Sequence, residues 1–260
     1  MSLIQVDEVL CRKDGICMRV CPKQCLVPDA EGRPVADPES ACIDCGHCEA
    51  VCPHGALRHT RLATDGFVPA RIDAVAPEAL AALMRSRRSV RAYKPDTLDR
   101  TVLETLLETA RYAPTGVNAQ EVCWNVLSGP QACRDLAGLV VDWMRANNVM
   151  PLYIELWDKG QEVVLRGAPH VAVAHAPKDA LIGSVDCVIA ATYMELAAAS
   201  MGLGACWAGI LMFAARNHPP VAKALGIPEG NEVHAGLMLG RPQFRYTLAP
   251  PRKPLRVAWL

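Results

Sequence analysis

The chain has 260 residues, of which 51% are hydrophobic and 21% are charged, with 27 basic against 27 acidic side chains. This length suggests one or two domains with a sizeable core, and the zero net charge gives no support to a nucleic acid or an anionic membrane as a partner. The charge is unevenly spread, because residues 1–60 carry six Lys and Arg against nine Asp and Glu. We therefore expect an acidic N-terminal module on a slightly basic body.

The cysteine content indicates the compartment. Eight of the 12 cysteines lie before residue 53, and Met1–Leu10 has neither the basic start nor the apolar core of a secretory signal. Unpaired and metal-bound cysteines are typical of a reducing compartment, so the expected location is the cytoplasm. Leu196–Ala215 has 20 residues without a charge, which is about the length of a membrane span. Because it is rich in Ala and interrupted by Gly, we expect a buried helix that ends at Gly202.

The first sixty residues contain two copies of one cysteine motif. The second copy has the spacing C-x2-C-x2-C-x3-C-P at Cys42, Cys45, Cys48, Cys52 and Pro53. The first copy consists of Cys11, Cys17, Cys21 and Pro22, with Asp14 at the position of the second cysteine. This spacing is the bacterial ferredoxin run. A structural zinc site also uses paired cysteines, but a tetrahedral ion does not require two interlocking runs that each end in Cys-Pro.

The pairing of the two runs predicts the ligands of two clusters. In two-cluster ferredoxins the fourth cysteine of each run binds the other cluster. One 4Fe-4S cluster is therefore expected at Cys42, Cys45, Cys48 and Cys21. A second cluster, 4Fe-4S or 3Fe-4S, is expected at Cys11, Asp14, Cys17 and Cys52.

The fourth ligand of the second cluster has three alternatives. They are Asp14 as an oxygen ligand, Cys25 after a local rearrangement, or no ligand, which leaves three irons. The in-register position and the neighbouring Gly15 favour Asp14. A carboxylate holds iron less firmly than a thiolate, so this cluster is expected to be the more labile one.

The N-terminal part of the chain is predicted to be a ferredoxin-like domain over residues 1–60. It begins with a strand at Leu3–Val6, and a polar hairpin runs from Pro28 to Pro38 between the two cysteine runs. Residues 61–77 have no clear period and contain Gly66, Pro69 and Pro77. They are predicted to be a linker to a second domain over residues 78–260.

The second domain is predicted to be α+β with a small sheet. Helices are predicted from Glu78, from Asp99 to a point before Pro114, at Gln131–Asn147, Leu152–Leu165, Ser184–Met201 and Pro220–Leu225. Strands are predicted at 122–126, Val171–His175 and His234–Leu239. In the second of these helices, apolar residues recur at intervals of three and four, which indicates one buried stripe. Helices outweigh and separate the strands, which favours helices layered on a sheet.

A basic segment between these first two helices is a candidate anion site. Arg85–Lys94 contains five cations in ten residues. The pattern fits either a solvated surface turn or a phosphate site, since the Arg fork suits phosphate. No G-x-G-x-x-G follows a strand and no G-x4-G-K-[ST] occurs. The sequence therefore argues against a dinucleotide fold, whereas it is compatible with a mononucleotide held by side chains.

Several stretches of the second domain together resemble the nitroreductase-like FMN oxidoreductases. They are Arg87–Arg91, Ala113–Gln120, Gly202–Trp207 and Leu239–Pro242, and with their order and spacing they cover about residues 78–257. The whole chain resembles the subgroup in which a two-cluster ferredoxin domain is fused ahead of the flavin domain. The resemblance implies an N-terminal ferredoxin-like domain followed by a nitroreductase-like α+β domain.

The resemblance also implies roles for residues in binding FMN. The counterparts of Arg87, Arg88, Ser89 and Arg91 hold the ribityl phosphate and the nearby flavin edge, and Arg252 joins them from the tail. Pro114, Thr115, Gly116 and Asn118 line the isoalloxazine ring, with Gln120 alongside. A turn at Gly209 and Ile210 offers backbone N–H groups to the redox edge of the flavin. Some relatives have a second cation two residues before Arg252, where this chain has Pro250.

The implied activity is electron transfer from the clusters through FMN to a small electrophile, such as a nitroaromatic, a quinone or an activated alkene. A ferredoxin or NAD(P)H is the expected donor, and a homodimer with FMN at its interface is the expected assembly. No residues are assigned as catalytic, because the cofactors perform the transfer. His47 and His54 are expected to tune solvent and hydrogen bonding at the clusters. Alternative functions are an electron-relay subunit that serves a partner protein, and a related flavin dehalogenase or dehydrogenase.

Overall fold

The computed structural model describes residues 2–260, which form two compact units. The first unit comprises the chain up to Ala74 together with Val117–Ala119. The second comprises Val75–Gly116 and Gln120–Leu260. Helices and sheets are both present, as the expected α+β class requires.

The first unit consists of very short elements around the cysteine runs. Its strands are β1 (Ile4–Val6), β2 (Leu26–Pro28), β3 (Pro34–Ala36) and β4 (Leu57–His59), and its helices are α1 (Ile16–Arg19) and α2 (His47–Ala50). β1 pairs antiparallel with β4, and β2 pairs antiparallel with β3. The buried core is small and consists of Ile4, Cys17, Leu26 and Leu57. Such a small core stabilises a fold only marginally, and metal binding commonly adds the rest.

The two cysteine runs fold alike. Cys11 and Cys42 are 31 positions apart, and so are Gly15 and Gly46. Gly15 precedes α1 with a φ of 70°, and Gly46 precedes α2 with a φ of 71°. Because glycine adopts this left-handed conformation without steric cost, the turn into each short helix is encoded in the motif itself.

The second unit contains one antiparallel sheet and seven helices. The strands are β5 (Cys123–Ser128), β6 (His170–Pro177), β7 (Gly204–Trp207) and β8 (Asn231–Gly240), in the order β5-β6-β8-β7. The helices are α3 (Pro77–Ser86), α4 (Arg100–Arg111), α5 (Pro130–Ala146), α6 (Pro151–Asp158), α7 (Gly183–Ser200), α8 (Gly209–Asn217) and α9 (Pro219–Ala224). The sheet is small relative to the helices, as predicted.

Helices cover both faces of this sheet. Successive residues of a strand point to opposite faces. In β6, Ala172 and Ala174 therefore pack with residues of α4 and α7, whereas Val171 and Val173 pack with residues of α5 and α8. The stripe predicted on α4 is buried here, with Leu106 fully covered. Burial of both sheet faces gives this unit a large apolar core.

One predicted helix is shorter than expected. The pattern predicted a helix as far as Leu165, but α6 ends at Asp158. The carboxylate of Glu162 accepts hydrogen bonds from the backbone N–H groups of Leu165 (2.7 Å) and Gly167 (2.6 Å). These bonds hold the following residues in a loop, which the apolar spacing did not reveal.

The uncharged stretch Leu196–Ala215 forms three elements. α7 ends at Ser200, close to the expected end at Gly202, and the stretch continues through β7 into the start of α8. β7 and α8 were not predicted. β7 has only four residues, of which the first three are buried and Trp207 is partly exposed, so it shows no alternation of apolar and polar residues. Across residues 2–260, no helix has both the length and the apolar content needed to cross a membrane.

Candidate functional site

A pocket in the first unit, here called the first pocket, gathers one set of expected iron ligands. Cys21, Cys42, Cys45 and Cys48 all line it. Burial raises the pKa of Cys48 to about 11 and raises that of Cys42 as well. These groups are therefore thiols until a metal ion displaces their protons.

A separate pocket, here called the second pocket, gathers the other set. It is lined by Cys11, Asp14, Cys17 and Cys52, and also by His54. Asp14 Oδ1 accepts a hydrogen bond from the backbone N–H of Ile16 (3.0 Å), and its Oδ2 lies 3.6 Å from His54 Nε2. Cys25 lines the first pocket instead. Of the three alternatives for the fourth ligand, this placement supports Asp14.

Backbone N–H groups are directed at several of these sulfur atoms. Cys21 Sγ accepts from Cys25 N–H (3.2 Å), Cys42 Sγ from Asp44 N–H (3.4 Å), and Cys52 Sγ from Ala56 N–H (3.4 Å). Such bonds compensate the negative charge of cluster thiolates. The donor sets of the two pockets, with these bonds, fit two iron-sulfur clusters.

His59 is a site residue that the sequence analysis missed. It lies at the end of β4, outside both cysteine runs, and is 3% exposed. Its Nε2 lies 3.4 Å from Cys42 Sγ and 3.5 Å from Asp44 Oδ1. A comparison of the two halves of the 31-position repeat could have drawn attention to His59, because the equivalent position in the first half is Pro28.

In the second unit, the Arg-rich segment leaves α3 and lies against β7. The N–H of Val90 donates to the carbonyl of Ala205 (3.0 Å), and Ser89 forms a parallel bridge with the same residue. A Cβ on Gly204 would lie 2.8 Å from a methyl group of Val90, so this close approach requires glycine. The buried hydroxyl of Tyr93 donates to the carbonyl oxygen of Val90 (2.8 Å), and this bond holds the segment in its conformation.

A hollow rich in cations lies beside this segment and is here called the basic hollow. Its charged and polar lining residues are Arg87, Arg88, Lys94, Arg245, Ser86, Gln243 and Glu195. The guanidinium of Arg87 lies 2.6 Å from Glu195 Oε1, and Glu195 is 7% exposed. Four cations outnumber this one carboxylate, so the hollow favours an anion such as a phosphate. Arg245 and Glu195 were not predicted as site residues.

Ser89 and Arg91 do not line the basic hollow, although their sequence neighbours Arg88 and Val90 do. Burial raises the pKa of the Cys206 thiol, and the charges of Arg91 and Arg166 oppose this rise. Arg166, which the sequence analysis did not select, is therefore near the Cys206 thiol. It lies in the loop after α6, which is the loop that the helix prediction missed.

The residues expected at the flavin ring are elsewhere in the second unit. Thr115 and Gln120 line a different hollow, here called the ring hollow, which shares no lining residue with the basic hollow. The N–H of Gln120 donates to Thr115 Oγ1 (3.1 Å), and that of Gly116 donates to Asp186 Oδ1 (3.0 Å). Pro114 adjoins this loop. One chain therefore does not bring the expected phosphate and ring residues into one hollow.

The remaining expected residues are scattered. Asn118 belongs to the first unit, where its side-chain amide donates to the carbonyls of Ile43 (3.0 Å) and Asp44 (3.1 Å). Gly209 and Ile210 form the first turn of α8 and not an isolated turn, and N–H groups in a first helical turn have no partner within the helix. Arg252 is exposed in the C-terminal tail.

Comparison with known proteins gives two family matches on this chain. A family model described as the nitroreductase family matches residues 84–241. A model described as a 4Fe-4S dicluster domain matches residues 10–57. The first match spans most of the second unit, and the second contains every expected iron ligand.

Three individual proteins illustrate these matches. A 7Fe ferredoxin from Hydrogenibacillus schlegelii is 39% identical over 69 residues, which are 26% of this chain and 80% of the ferredoxin. A Cr(VI) reductase from Pseudomonas sp. (strain G-1) is 28% identical over 185 residues, 65% of this chain and 68% of the reductase. A nitroreductase with bound FMN from Bacteroides fragilis NCTC 9343 superposes with a TM-score of 0.56 at 22% identity, covering 70% of this chain and 96% of that one. At that identity, the superposition shows a shared fold.

Proposed function

The chain belongs to the nitroreductase family and carries a 4Fe-4S dicluster domain ahead of it, and from this premise we propose that it binds two iron-sulfur clusters and FMN. Single electrons enter through the clusters and leave through the flavin to a small electrophile, such as a nitroaromatic, a quinone or an activated alkene. The observation that carries this proposal is the presence of both expected ligand sets in two separate pockets of the first unit.

Each cofactor has residues of this chain that would hold it. Cys21, Cys42, Cys45 and Cys48 would bind one cluster, and Cys11, Asp14, Cys17 and Cys52 the other. When bound, the clusters supply one-electron transfer and the flavin joins it to two-electron chemistry. The first-pocket sulfurs accept N–H bonds from Asp44 and Cys25, which would stabilise the charge of the bound cluster.

The basic hollow supports FMN in particular. The related nitroreductase from B. fragilis contains bound FMN, and the anionic part of that cofactor is its phosphate. Arg87 and Arg88 offer guanidinium donors, and Glu195 holds Arg87 in a fixed orientation through a 2.6 Å contact. The positive charge of this hollow and its planar Arg donors suit a phosphate better than they suit an uncharged ligand.

A homodimer would complete the site. The expected phosphate residues and ring residues line two hollows that share no residue, so a flavin held by both needs a second chain. The exposed apolar side chains that such a partner would cover include Val185, Val188 and Tyr193 of α7, and Leu248, Leu255 and Trp259 of the tail. Closed two-fold dimers are the commonest assemblies of this kind.

The proposal is tested with the full chain purified without oxygen. Chemical analysis should find about seven or eight irons, as one 4Fe-4S cluster with a 4Fe-4S or 3Fe-4S partner requires, and about one FMN per chain. Reduced ferredoxin should then drive consumption of a nitroaromatic or a quinone by this protein alone. Reduction of the flavin without consumption of any electrophile until a partner protein is added would contradict the enzyme and indicate an electron relay.

A variant separates the two halves of the proposal. Cys45→Ser should abolish turnover driven by ferredoxin, because it removes a ligand of the first-pocket cluster. The same variant should keep turnover driven by dithionite, which reduces flavin directly. An equal loss of turnover with ferredoxin and with dithionite would mean that the substitution damages the second unit. Full turnover with both reductants would mean that electrons do not pass through the first-pocket cluster.

A further inference from the structure

His59 distinguishes one of the two cluster pockets from the other. We propose that its Nε2–H donates a hydrogen bond to the Cys42 thiolate and raises the reduction potential of the first-pocket cluster. This inference rests on the proposed binding of both clusters.

The sulfur of Cys42 is the nearer of two acceptors that face Nε2 of His59. His59 is 3% exposed, so no solvent competes for its ring. Its Nε2 lies 3.4 Å from Cys42 Sγ, within hydrogen-bond distance for sulfur, and 3.5 Å from Asp44 Oδ1. Asp44 already receives the guanidinium of Arg61 at 3.2 Å. Both atoms facing Nε2 are acceptors, which requires a proton on this nitrogen.

The other ring nitrogen determines the tautomer. Within residues 2–260, Nδ1 of His59 is buried and has no hydrogen-bond partner. A buried N–H without an acceptor is costly, because it loses its bonds to water and gains none. A proton on Nε2 rather than on Nδ1 avoids that cost, and the Nε2–H then donates to Cys42.

A buried carboxylate holds His59 in this position. Glu49, which follows Cys48 in α2, is 9% exposed. It accepts a hydrogen bond from the backbone N–H of His59 (2.7 Å) and another from the guanidinium of Arg58 (2.6 Å). The end of β4 is thereby fixed to the helix that carries one of the expected ligands, and the imidazole has little freedom to turn away from the sulfur.

The internal repeat shows that the other pocket lacks this device. The positions 31 residues before Glu49, Arg58 and His59 are Met18, Val27 and Pro28. Pro28 has neither a backbone N–H nor a side-chain donor, and Met18 has no carboxylate. The carboxylate of Glu49 and the imidazole donor of His59 are therefore present together in one half of the repeat, and the other half has neither of them.

A hydrogen bond to a cluster sulfur stabilises the reduced cluster, which carries one more negative charge, and so raises the potential.

The test is a redox titration of the full-length protein followed by EPR, with one signal for each cluster. In His59→Leu the midpoint potential of the first-pocket cluster should fall by about 59 mV, which is a tenfold change in the equilibrium constant of a one-electron reduction. The midpoint potential of the second-pocket cluster should stay constant. His59→Gln should restore the midpoint, since the amide nitrogen of Gln reaches the place of Nε2. The side chain of Asn is too short to reach the sulfur of Cys42, so His59→Asn should lower the midpoint potential as His59→Leu does. His59→Asn takes the place of His59→Leu if the Leu variant does not fold.

A matched control changes an imidazole outside both cluster pockets. His234 lies in β8 of the second unit and lines neither pocket, so His234→Leu should leave both midpoints unchanged. Unchanged midpoints in His59→Leu or His59→Asn, with both EPR signals present, would overturn the role of His59. Absence of the cluster signals from the unmodified protein would instead overturn the proposed function.

Discussion

The two units of this protein form their sites in different ways. In the first unit, every expected ligand lies between Cys11 and Cys52, and each set of four lines one pocket. In the second, the residues expected at the flavin extend from Arg87 to Arg252. Two of them line the basic hollow and two line the ring hollow, and these hollows share no lining residue. Short spacings within one loop suffice to place metal ligands, whereas a large organic cofactor needs surfaces that only folding and assembly bring together.

The units also differ in what stabilises them. The first has one cluster of four buried apolar residues, with Cys25 and Ala56 also buried, and strands of three residues. The second has a sheet with buried helices on both faces. The first unit must therefore derive much of its stability from its metal, whereas the second has enough apolar burial to fold without a cofactor.

Removal of iron should have the largest effect, because it tests this difference directly. After anaerobic chelation, amide hydrogens of β1 and β4 should exchange freely, since metal binding and folding are coupled in small metal domains. Amides of β6 and β8 should remain protected. Hydrogen exchange read by mass spectrometry measures both regions in one sample, and retained protection in β1 and β4 would show that the first unit folds on its small core.

The double variant Arg87→Ala with Arg88→Ala should weaken FMN binding by at least about a hundredfold, because both guanidinium groups line the basic hollow. Hydrogen bonds to charged groups contribute about 1.5–3 kcal/mol each, so the loss of two suffices. Iron and sulfide contents should stay unchanged, since these residues belong to the second unit. Arg100→Ala with Arg145→Ala, two exposed arginines outside the basic hollow, is the control, and an equal loss of FMN there would indicate a general effect of charge.

Glu195→Leu should destabilise the second unit by about 1–3 kcal/mol, because it leaves the largely buried Arg87 without its partner. A phosphate can replace that partner, so the deficit should shrink when FMN is in excess. The measurement is the thermal unfolding of the second unit, followed at β6 and β8, with and without FMN. A deficit that FMN does not reduce would place Arg87 outside the phosphate site.

Asp14→Cys should produce the smallest effect, on one cluster alone. A thiolate holds iron more firmly than a carboxylate, so the second-pocket cluster should lose iron to a chelator several-fold more slowly. The first-pocket cluster serves as an internal reference in the same experiment. An unchanged rate of iron loss would argue against Asp14 as a ligand.

Much of the first unit was predictable because its information is local. The spacing of the cysteines, Asp14 at the position of the missing cysteine, and a glycine before each short helix identified the contents of both pockets. His59 was missed because it follows the second run by several residues and meets Cys42, 17 positions earlier in the chain, only in the folded structure. The repeat contained the signal, but only the position of the ring showed its use.

In the second unit the long helices were predictable and the short elements were not. α4 and α7 have enough residues to show their periodicity, whereas β7 has only four. The contact of Arg87 with Glu195 joins residues 108 positions apart. No pattern along the chain relates such residues before the helices pack.

The sequence alone determined the type of chemistry, because ligand identity and spacing are properties of a few neighbouring residues. It also determined the family, since several short motifs occur in a fixed order. The tertiary structure decided which histidine faces a sulfur, which carboxylate holds an arginine, and that residues expected at the phosphate and at the flavin ring line separate hollows of one chain. These are contacts between segments distant in the chain, and they arise only when apolar burial brings those segments together.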